Sequence, residues 1–279
     1  MSLELGDLQT PALLIHLDRV RHNLAAMTRC LDGKLDRWRP HVKTCKVPEV
    51  LEMFLASGVR RFKCATTREA EVLAAVAGDR SIDVLLAMAQ HGRNLERLAA
   101  IAAAHPTARF AMLSEEPAHA GRVRTLGLGV FVDLDPGYHR SGIPLAEVAR
   151  IRAVVDAAGP ALRGLHCYDG HLVDDDPALR RAAAHAIYRQ FVQLARDLGV
   201  TGELVTSGTP TFLDALAFVG FDDFEHTIGP GTVIYWDARS MELGIAGFEP
   251  AVEILARVVS RPTETNFTVD AGSKAVDAA

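Results

Sequence analysis

Short apolar runs alternate with longer segments of helical period along most of the chain. The runs predict strands at Arg37–Lys43, Arg61–Ala65, Val84–Ala87, Arg109–Leu113, Gly129–Leu134, Gly164–Cys167, Glu203–Thr206 and Phe224–Ile228. Between them the spacing predicts helices at Pro48–Ala56, Arg68–Ala77, Arg93–Ala103, Pro117–Leu126, Leu145–Ala158, Pro177–Leu198 and Pro210–Leu216. Several open near a proline, whose missing N–H costs nothing in a first helical turn. Strand–helix repetition at this spacing builds a parallel sheet covered by helices, an α/β fold. A count of eight strands favours closure into a (β/α)8 barrel of the TIM type, with an open doubly wound sheet as the alternative. An earlier apolar run, Ala12–Leu17, precedes a helix from Asp18 to Cys30, and the tail from Phe248 to Val269 switches to strand-like alternation. With a last strand at Phe267–Asp270, the tail reads as the start of a C-terminal β domain that is incomplete in this chain. The expected division is a barrel over residues 1–245 and the beginning of that domain over 246–279.

Composition narrows the class without naming a function. At 279 residues, 49% apolar and 23% charged, the chain can bury a sizeable core, and long disorder is a poor reading. The net charge of −5 gives no basic footprint for nucleic acid and points to no membrane surface. No window approaches the roughly 20 apolar residues that span a bilayer, and the acidic start Met1-Ser-Leu-Glu reads as no secretory signal. The cytoplasm is the expected compartment. Cys30, Cys45, Cys64 and Cys167 lie far apart with no CxxC pairing, which argues against a zinc knuckle or a disulfide framework.

Active sites of such barrels sit at the carboxyl ends of the strands, so the polar residues following each strand are the candidates. After the first comes Arg39-Pro-His-Val-Lys-Thr-Cys-Lys46, which places Lys43 at the mouth. A lysine there can lose its proton by desolvation and attack a carbonyl, although a solvated loop charge would read the same. After the fifth, Asp133-Leu-Asp-Pro-Gly-Tyr-His-Arg-Ser-Gly142 can turn Arg140 toward a pocket, or form a β-turn with a surface arginine. After the sixth, His166-Cys-Tyr-Asp-Gly-His171 sets Tyr168 and two imidazoles at one rim. The seventh ends in Thr206-Ser-Gly-Thr-Pro-Thr211 and the eighth in Gly229-Pro-Gly-Thr232. Glycines and hydroxyls before a helix start offer N–H and O–H donors to an anion, in the two slots where barrels place a phosphate. No GxxxxGK[ST] or GxGxxG is present, so a nucleotide triphosphate or Rossmann dinucleotide has no support.

A strand-end lysine, an arginine, a tyrosine and a paired phosphate cradle are the protein half of a pyridoxal phosphate site. With these residues in view, the chain resembles the D-threonine aldolase and D-serine dehydratase family, pyridoxal-phosphate enzymes of fold type III built on the alanine-racemase barrel. The matches are Thr10-Pro-Ala-Leu, Arg39-Pro-His-Val-Lys-Thr, Asp135-x-Gly-x-His-Arg-x-Gly142, Tyr168-Asp-Gly-His171, Ser207-Gly-Thr-Pro-Thr, Gly229-Pro-Gly-Thr with Asp237 beyond it, and Asp270-Ala-Gly-Ser-Lys-Ala. They run from one end of the chain to the other in family order. The resemblance implies that Lys43 carries pyridoxal 5'-phosphate covalently, that Arg140 faces its pyridine nitrogen and that Tyr168 lines it. Ser207, Gly208, Thr209, Gly231 and Thr232 would hold its phosphate. His41 would shape the surroundings of the lysine, as a catalytic group or as a buried ring packed beside the barrel.

Three departures qualify what the resemblance implies. Cys45 stands where the family usually has a histidine, and Val173-Asp174-Asp175-Asp176 stands where aldolases carry a histidine that serves the substrate hydroxyl. Asp174 could act as a substitute base, but an acidic helix N-terminus accounts for Asp174–Asp176 more simply. The family also binds a divalent metal in the carboxy-terminal β domain, and this chain ends before that segment, so no metal ligand is named. The expected function is a lyase that cleaves D-3-hydroxy amino acids to glycine and an aldehyde. D-serine dehydratase-like elimination, racemisation and a non-catalytic pyridoxal-phosphate carrier are the alternatives. A small-molecule D-amino acid is the expected partner. Two-domain relatives pair as homodimers, a pairing that a chain without the second domain need not share. A fragment that folds without turnover is the remaining expectation, and its sign would be an exposed apolar face along Phe248–Val269.

Overall fold

The computed structural model of the protein describes residues 5–272. Strand β1 (Ala12–Ile15) leads into helix α1 (Leu17–Cys30). Then follow α2 (Pro48–Ser57), β2 (Arg61–Cys64), α3 (Thr67–Ala77), β3 (Ile82–Leu86), α4 (Gly92–Ala104), β4 (Ala108–Ser114), α5 (Pro117–Thr125) and β5 (Gly129–Asp135). The second half runs through β6 (Ile143–Pro144), α6 (Val148–Ala158), β7 (Leu162–Cys167), α7 (Pro177–Leu198), β8 (Glu203–Thr206), α8 (Phe212–Leu216), β9 (His226–Ile228) and α9 (Ala238–Glu242). It ends in β10 (Val252–Leu255), β11 (Val258–Ser260) and β12 (Thr268–Val269). The parallel order β2-β3-β4-β5-β7-β8-β9 follows the chain, with the two-residue β6 on the side of β5. Most expected helices fall within a residue or two of the sequence reading, because their caps are written locally. Thr66 accepts the Glu69 N–H at the start of α3, Asp176 caps α7, and Gly58 ends α2 in the left-handed region.

The first expected barrel strand, Arg37–Lys43, is not a regular strand. Leu35–Arg37 is a 3-10 turn, and the following residues make single parallel bridges, Trp38 to Ile228 on one side and His41 to Lys63 on the other. Pro40 supplies no N–H, so the ladder cannot run through it; its carbonyl accepts the Lys63 N–H, and the Arg39 N–H reaches Ile228. This segment is the eighth stave, and it closes the barrel between β9 and β2.

The barrel interior is layered. Leu85, Ala87, Ala111, Leu113, Phe131 and Val205 form an inner apolar cluster separate from the larger core between strands and helices. At the amino-terminal mouth lies a buried ion network. Arg39 donates twice to Glu203, at 2.9 and 2.6 Å, and once to Asp83 at 2.9 Å. Asp83 also accepts from Arg163 at 2.5 Å and pairs with Arg109, while Thr227 donates to Glu203. The Arg39 guanidinium closes the layer from below, 5.8 Å from the Phe131 ring centre. Although burial works against ionisation, Arg39 and its neighbouring arginines hold Asp83 and Glu203 below the ordinary carboxylate range.

The first and last strands of the described residues lie together. Antiparallel pairing of β1 with β10, a bond from Thr10 to Asp270 at 2.5 Å and the β11–β12 pair make a small sheet region beside the barrel. Ile254, Val258, Val259 and Phe267 are exposed there, whereas Phe248 is buried against Trp236; Ser273, Lys274 and Ala275 of the last motif lie outside the described residues. All four cysteines are free, three of them buried, and among the described residues no helix is long and apolar enough to cross a membrane.

Glu203→Ala leaves Arg39 as a buried cation short of a partner and is expected to cost about 3–5 kcal/mol. Arg61→Ala, which trims a half-buried partner at the edge of the network, is expected to cost under about 1 kcal/mol. Urea unfolding of the two variants measures the difference. The network's contribution should be complete above the unfolded carboxyl range, about pH 4, and be lost as pH falls through the depressed folded values of Asp83 and Glu203. Urea midpoints followed down the acid range check that sign.

Candidate functional site

At the opposite, carboxyl-terminal mouth a cavity of about 130 Å³ opens. Eight of the nine residues singled out in the sequence line it: His41, Lys43, Arg140, Tyr168, Gly208, Thr209, Gly231 and Thr232. Ser207 lies fully buried beside them. Among the described residues no Asp or Glu lines the cavity, whereas three cationic side chains do.

Lys43 is held by the turn that follows the eighth stave. Its backbone N–H donates to Nδ1 of His41 at 3.3 Å, so the neutral ring carries its proton on Nε2. Burial and the charges of Lys63 and Lys43 push His41 down to about 2, which keeps the imidazole neutral. The Lys43 amine is itself pushed below the ordinary lysine range, first by burial and then by Arg140. Gly231 is fixed by contact: a Cβ there would stand 2.3 Å from the His41 carbonyl oxygen. Cys45 is a core side chain. Burial pushes its thiol up to about 12, and its Sγ lies over the Val42 carbonyl.

Arg140 is sandwiched by aromatics, its guanidinium carbon 4.9 Å from the ring centres of both Tyr138 and Tyr168. Asp135 shapes the loop that delivers it, accepting the N–H groups of Gly137 and His139 at 2.9 and 3.0 Å. Tyr168 rests on the backbone of Gly208, where a Cβ would come within 3.1 Å of the ring. Behind Tyr168, Asp169 accepts from Tyr188 and from Thr211 at 2.8 Å, which ties the loop after β7 to the loop after β8. Burial raises the Asp169 carboxyl above its usual range, with those two hydroxyls working against the shift.

Among the described residues, Ser207 Oγ and His166 Nε2 are buried at the site without a partner, as is Nδ1 of His171, whose ring stacks on Tyr138. Ser207 sits at φ +61°, a strained region for a residue with a side chain, and such strain collects where a ligand needs a particular shape. His166 is oriented from behind. Its Nδ1 lies 2.8 Å from Asp133, whose other oxygen accepts from Ser141 at 2.9 Å. The ring lies nearly parallel to Tyr168, 12° between planes at 6.5 Å. Burial lowers the His166 pKa despite Asp133, so the ring is neutral, with a lone pair on Nε2. Asp174 plays no part in the cavity: it is exposed and accepts the Asp176 N–H in the turn that starts α7.

The sequence reading missed Lys63, on β2, which also lines the cavity at 2% exposure. Its signal was a lysine inside the apolar run Arg61-Phe-Lys-Cys-Ala65. Alternation along β2 sends that position into the barrel. Thr44, Ala65, Ala87 and Met88 complete the wall on that side.

The family model described as alanine racemase, N-terminal domain, matches residues 15–238. Among curated proteins the chain is 29% identical to a D-threo-3-hydroxyaspartate dehydratase of Delftia sp. (strain HT23), over 95% of this chain and 72% of that protein. It is 27% identical to a D-threonine aldolase of Arthrobacter sp., over 98% of this chain and 74% of that protein. Among solved structures, the D-threonine aldolase of Filomicrobium marinum superposes with a TM-score of 0.79 at 29% identity, covering 96% of this chain and 74% of that one. With the family model spanning both the closed barrel and every cavity residue described above, the chain belongs to the alanine racemase N-terminal domain family, pyridoxal-phosphate proteins of fold type III.

Proposed function

We propose that the protein is a pyridoxal-phosphate-dependent carbon–carbon lyase that cleaves D-3-hydroxy amino acids by retro-aldol reaction to glycine and an aldehyde. The observation that carries this is the convergence of Lys43, Arg140 and both glycine-hydroxyl loops on one cavity without a carboxylate. The residues present fit the cofactor. The orphaned Ser207 Oγ, the Thr209 and Thr232 hydroxyls and the close-packed Gly231 make a cradle for an anion. Lys43 would hold the cofactor covalently, Arg140 would meet its ring nitrogen and Tyr168 would line it. When bound, the cofactor supplies an electron sink for negative charge developing at the substrate Cα.

The chain's own groups then sort by charge state. The lowered amine of Lys43 is available as a nucleophile and, once displaced by a substrate amine, can carry a proton at the same rim. His41 stays neutral and fixes the Lys43 backbone. His166, with its proton held on Nδ1 by Asp133, presents Nε2 as an acceptor for the proton of a substrate hydroxyl. Withdrawing that proton favours cleavage of the Cα–Cβ bond. The dehydratase of similar identity supports a second reading, β-elimination of the hydroxyl.

Lys43→Ala is expected to abolish the mass increment that borohydride leaves on the protein after incubation with pyridoxal phosphate, while the folded spectrum in circular dichroism persists. Product analysis with D-threonine and D-3-hydroxyaspartate separates the two reactions: glycine plus an aldehyde supports cleavage, whereas ammonia plus a 2-oxo acid replaces it with elimination. Asp133→Asn lets the His166 ring flip its tautomer and is expected to lower kcat by about 100-fold with KM little changed. Steady-state kinetics on the preferred substrate reads that split.

A further inference from the structure

Lys63 is the least expected charge in the molecule. It projects from β2 into the barrel, is 2% exposed, and forms no salt bridge among the described residues. Its ammonium reaches past the eighth stave to the loop that follows β9. A Cβ on Gly229 would stand 2.1 Å from Lys63 Nζ and 3.0 Å from the Ser207 carbonyl oxygen, so the lysine head fills the place of a side chain at Gly229. Gly229 has no positive φ to require glycine; a Cβ there would displace the flexible lysine head and crowd the Ser207 carbonyl. The Tyr168 ring lies 5.6 Å from Nζ and offers a weak cation–π contact.

The position of this head is informative. Ser207 and Gly229 begin the two loops that form the anion cradle, and the cavity above holds two more cations, Lys43 and Arg140, with no acid. A buried ammonium without a counterion is costly, and among the described residues no carboxylate pairs with Lys63, Asp169 acting on it only at a distance. Burial, then Lys43 and Arg39, push the Lys63 amine down to about 7, so a nearby anion can readily return its proton. The orphaned hydroxyl of Ser207 belongs to the same corner.

We infer that Lys63 is a further cofactor-binding residue, a buried cation beneath the cradle that serves as counterion to the phosphate dianion of the cofactor. The inference rests on the pyridoxal-phosphate reading above and adds to it a residue from β2, outside both cradle loops. It assigns Lys63 to the phosphate rather than to the ring, because its head rests where the loops after β8 and β9 begin.

The test compares dissociation constants of pyridoxal 5'-phosphate and of pyridoxal, which lacks the phosphate, for the parent, Lys63→Met and Lys63→Gln. Removing a charge-assisted contact should weaken pyridoxal phosphate by at least about tenfold, with pyridoxal changed less than about twofold. Equal weakening of both ligands, or no weakening of either, overturns the inference. If the parent binds neither ligand, the pyridoxal-phosphate reading itself fails. Circular dichroism confirms that each variant folds. A second measurement needs no variant: with nitrogen-15 lysine in the parent, pyridoxal phosphate should move the Lys63 side-chain resonance toward the charged amine, and pyridoxal should not. A Lys63 signal indifferent to the phosphate overturns the proposal on its own.

Discussion

The barrel closes through one guanidinium. The eighth stave makes only single bridges to its neighbours, because Pro40 interrupts the ladder, and Arg39 compensates from that same stave. Its side chain reaches across the amino-terminal mouth to Asp83 on β3 and Glu203 on β8, so three staves that are not adjacent are tied at one point. Ion pairs buried this deeply are not obviously stabilising against an apolar alternative, since desolvation offsets much of their attraction. What they provide is register: only one placement of the stave satisfies five donors and two carboxylates together. That placement sets Trp38 against β9 and His41 against β2, and therefore sets where Lys43 emerges.

The same constraint separates structural from functional charge. Below the apolar layer of Leu85, Ala111, Phe131 and Val205, the buried Arg39 and the half-buried Arg163 are both paired with carboxylates. Above it, the buried Lys63 and the exposed Lys43 and Arg140 have none among the described residues, and Ser207 and His166 each keep a polar atom unpartnered. A folded chain tolerates such an imbalance where a ligand completes the balance. The apolar layer keeps the two electrostatic systems apart, so the stability of the floor and the chemistry of the mouth are separable.

Much of this was legible from local pattern. Strand–helix alternation, proline near helix starts and glycine-hydroxyl loops after strands are short-range signals, and the cavity gathers the residues they marked. The eighth stave was over-read as a strand because apolar alternation around Trp38 and Val42 does not reveal that Pro40 breaks the ladder. Lys63 escaped for a different reason. It sits within a strand rather than after it, and its importance depends on which face of the barrel it shares with residues far away in sequence. Gly229 looked like part of an anion loop; that a lysine from β2 occupies its side-chain space is visible only in three dimensions.

The cationic surplus also bears on what the site accepts. A substrate amino acid arrives as a zwitterion, and a cavity lined by Lys43, Lys63 and Arg140, with no acid among the described residues, favours its carboxylate over its ammonium. On the proposed function, the phosphate of the cofactor would offset part of that field. The neutral rings of His41 and His166 fit this arrangement: protonating either would add positive charge where the protein already carries too much. Their task is to position Lys43 and to accept a proton, and both require an uncharged imidazole.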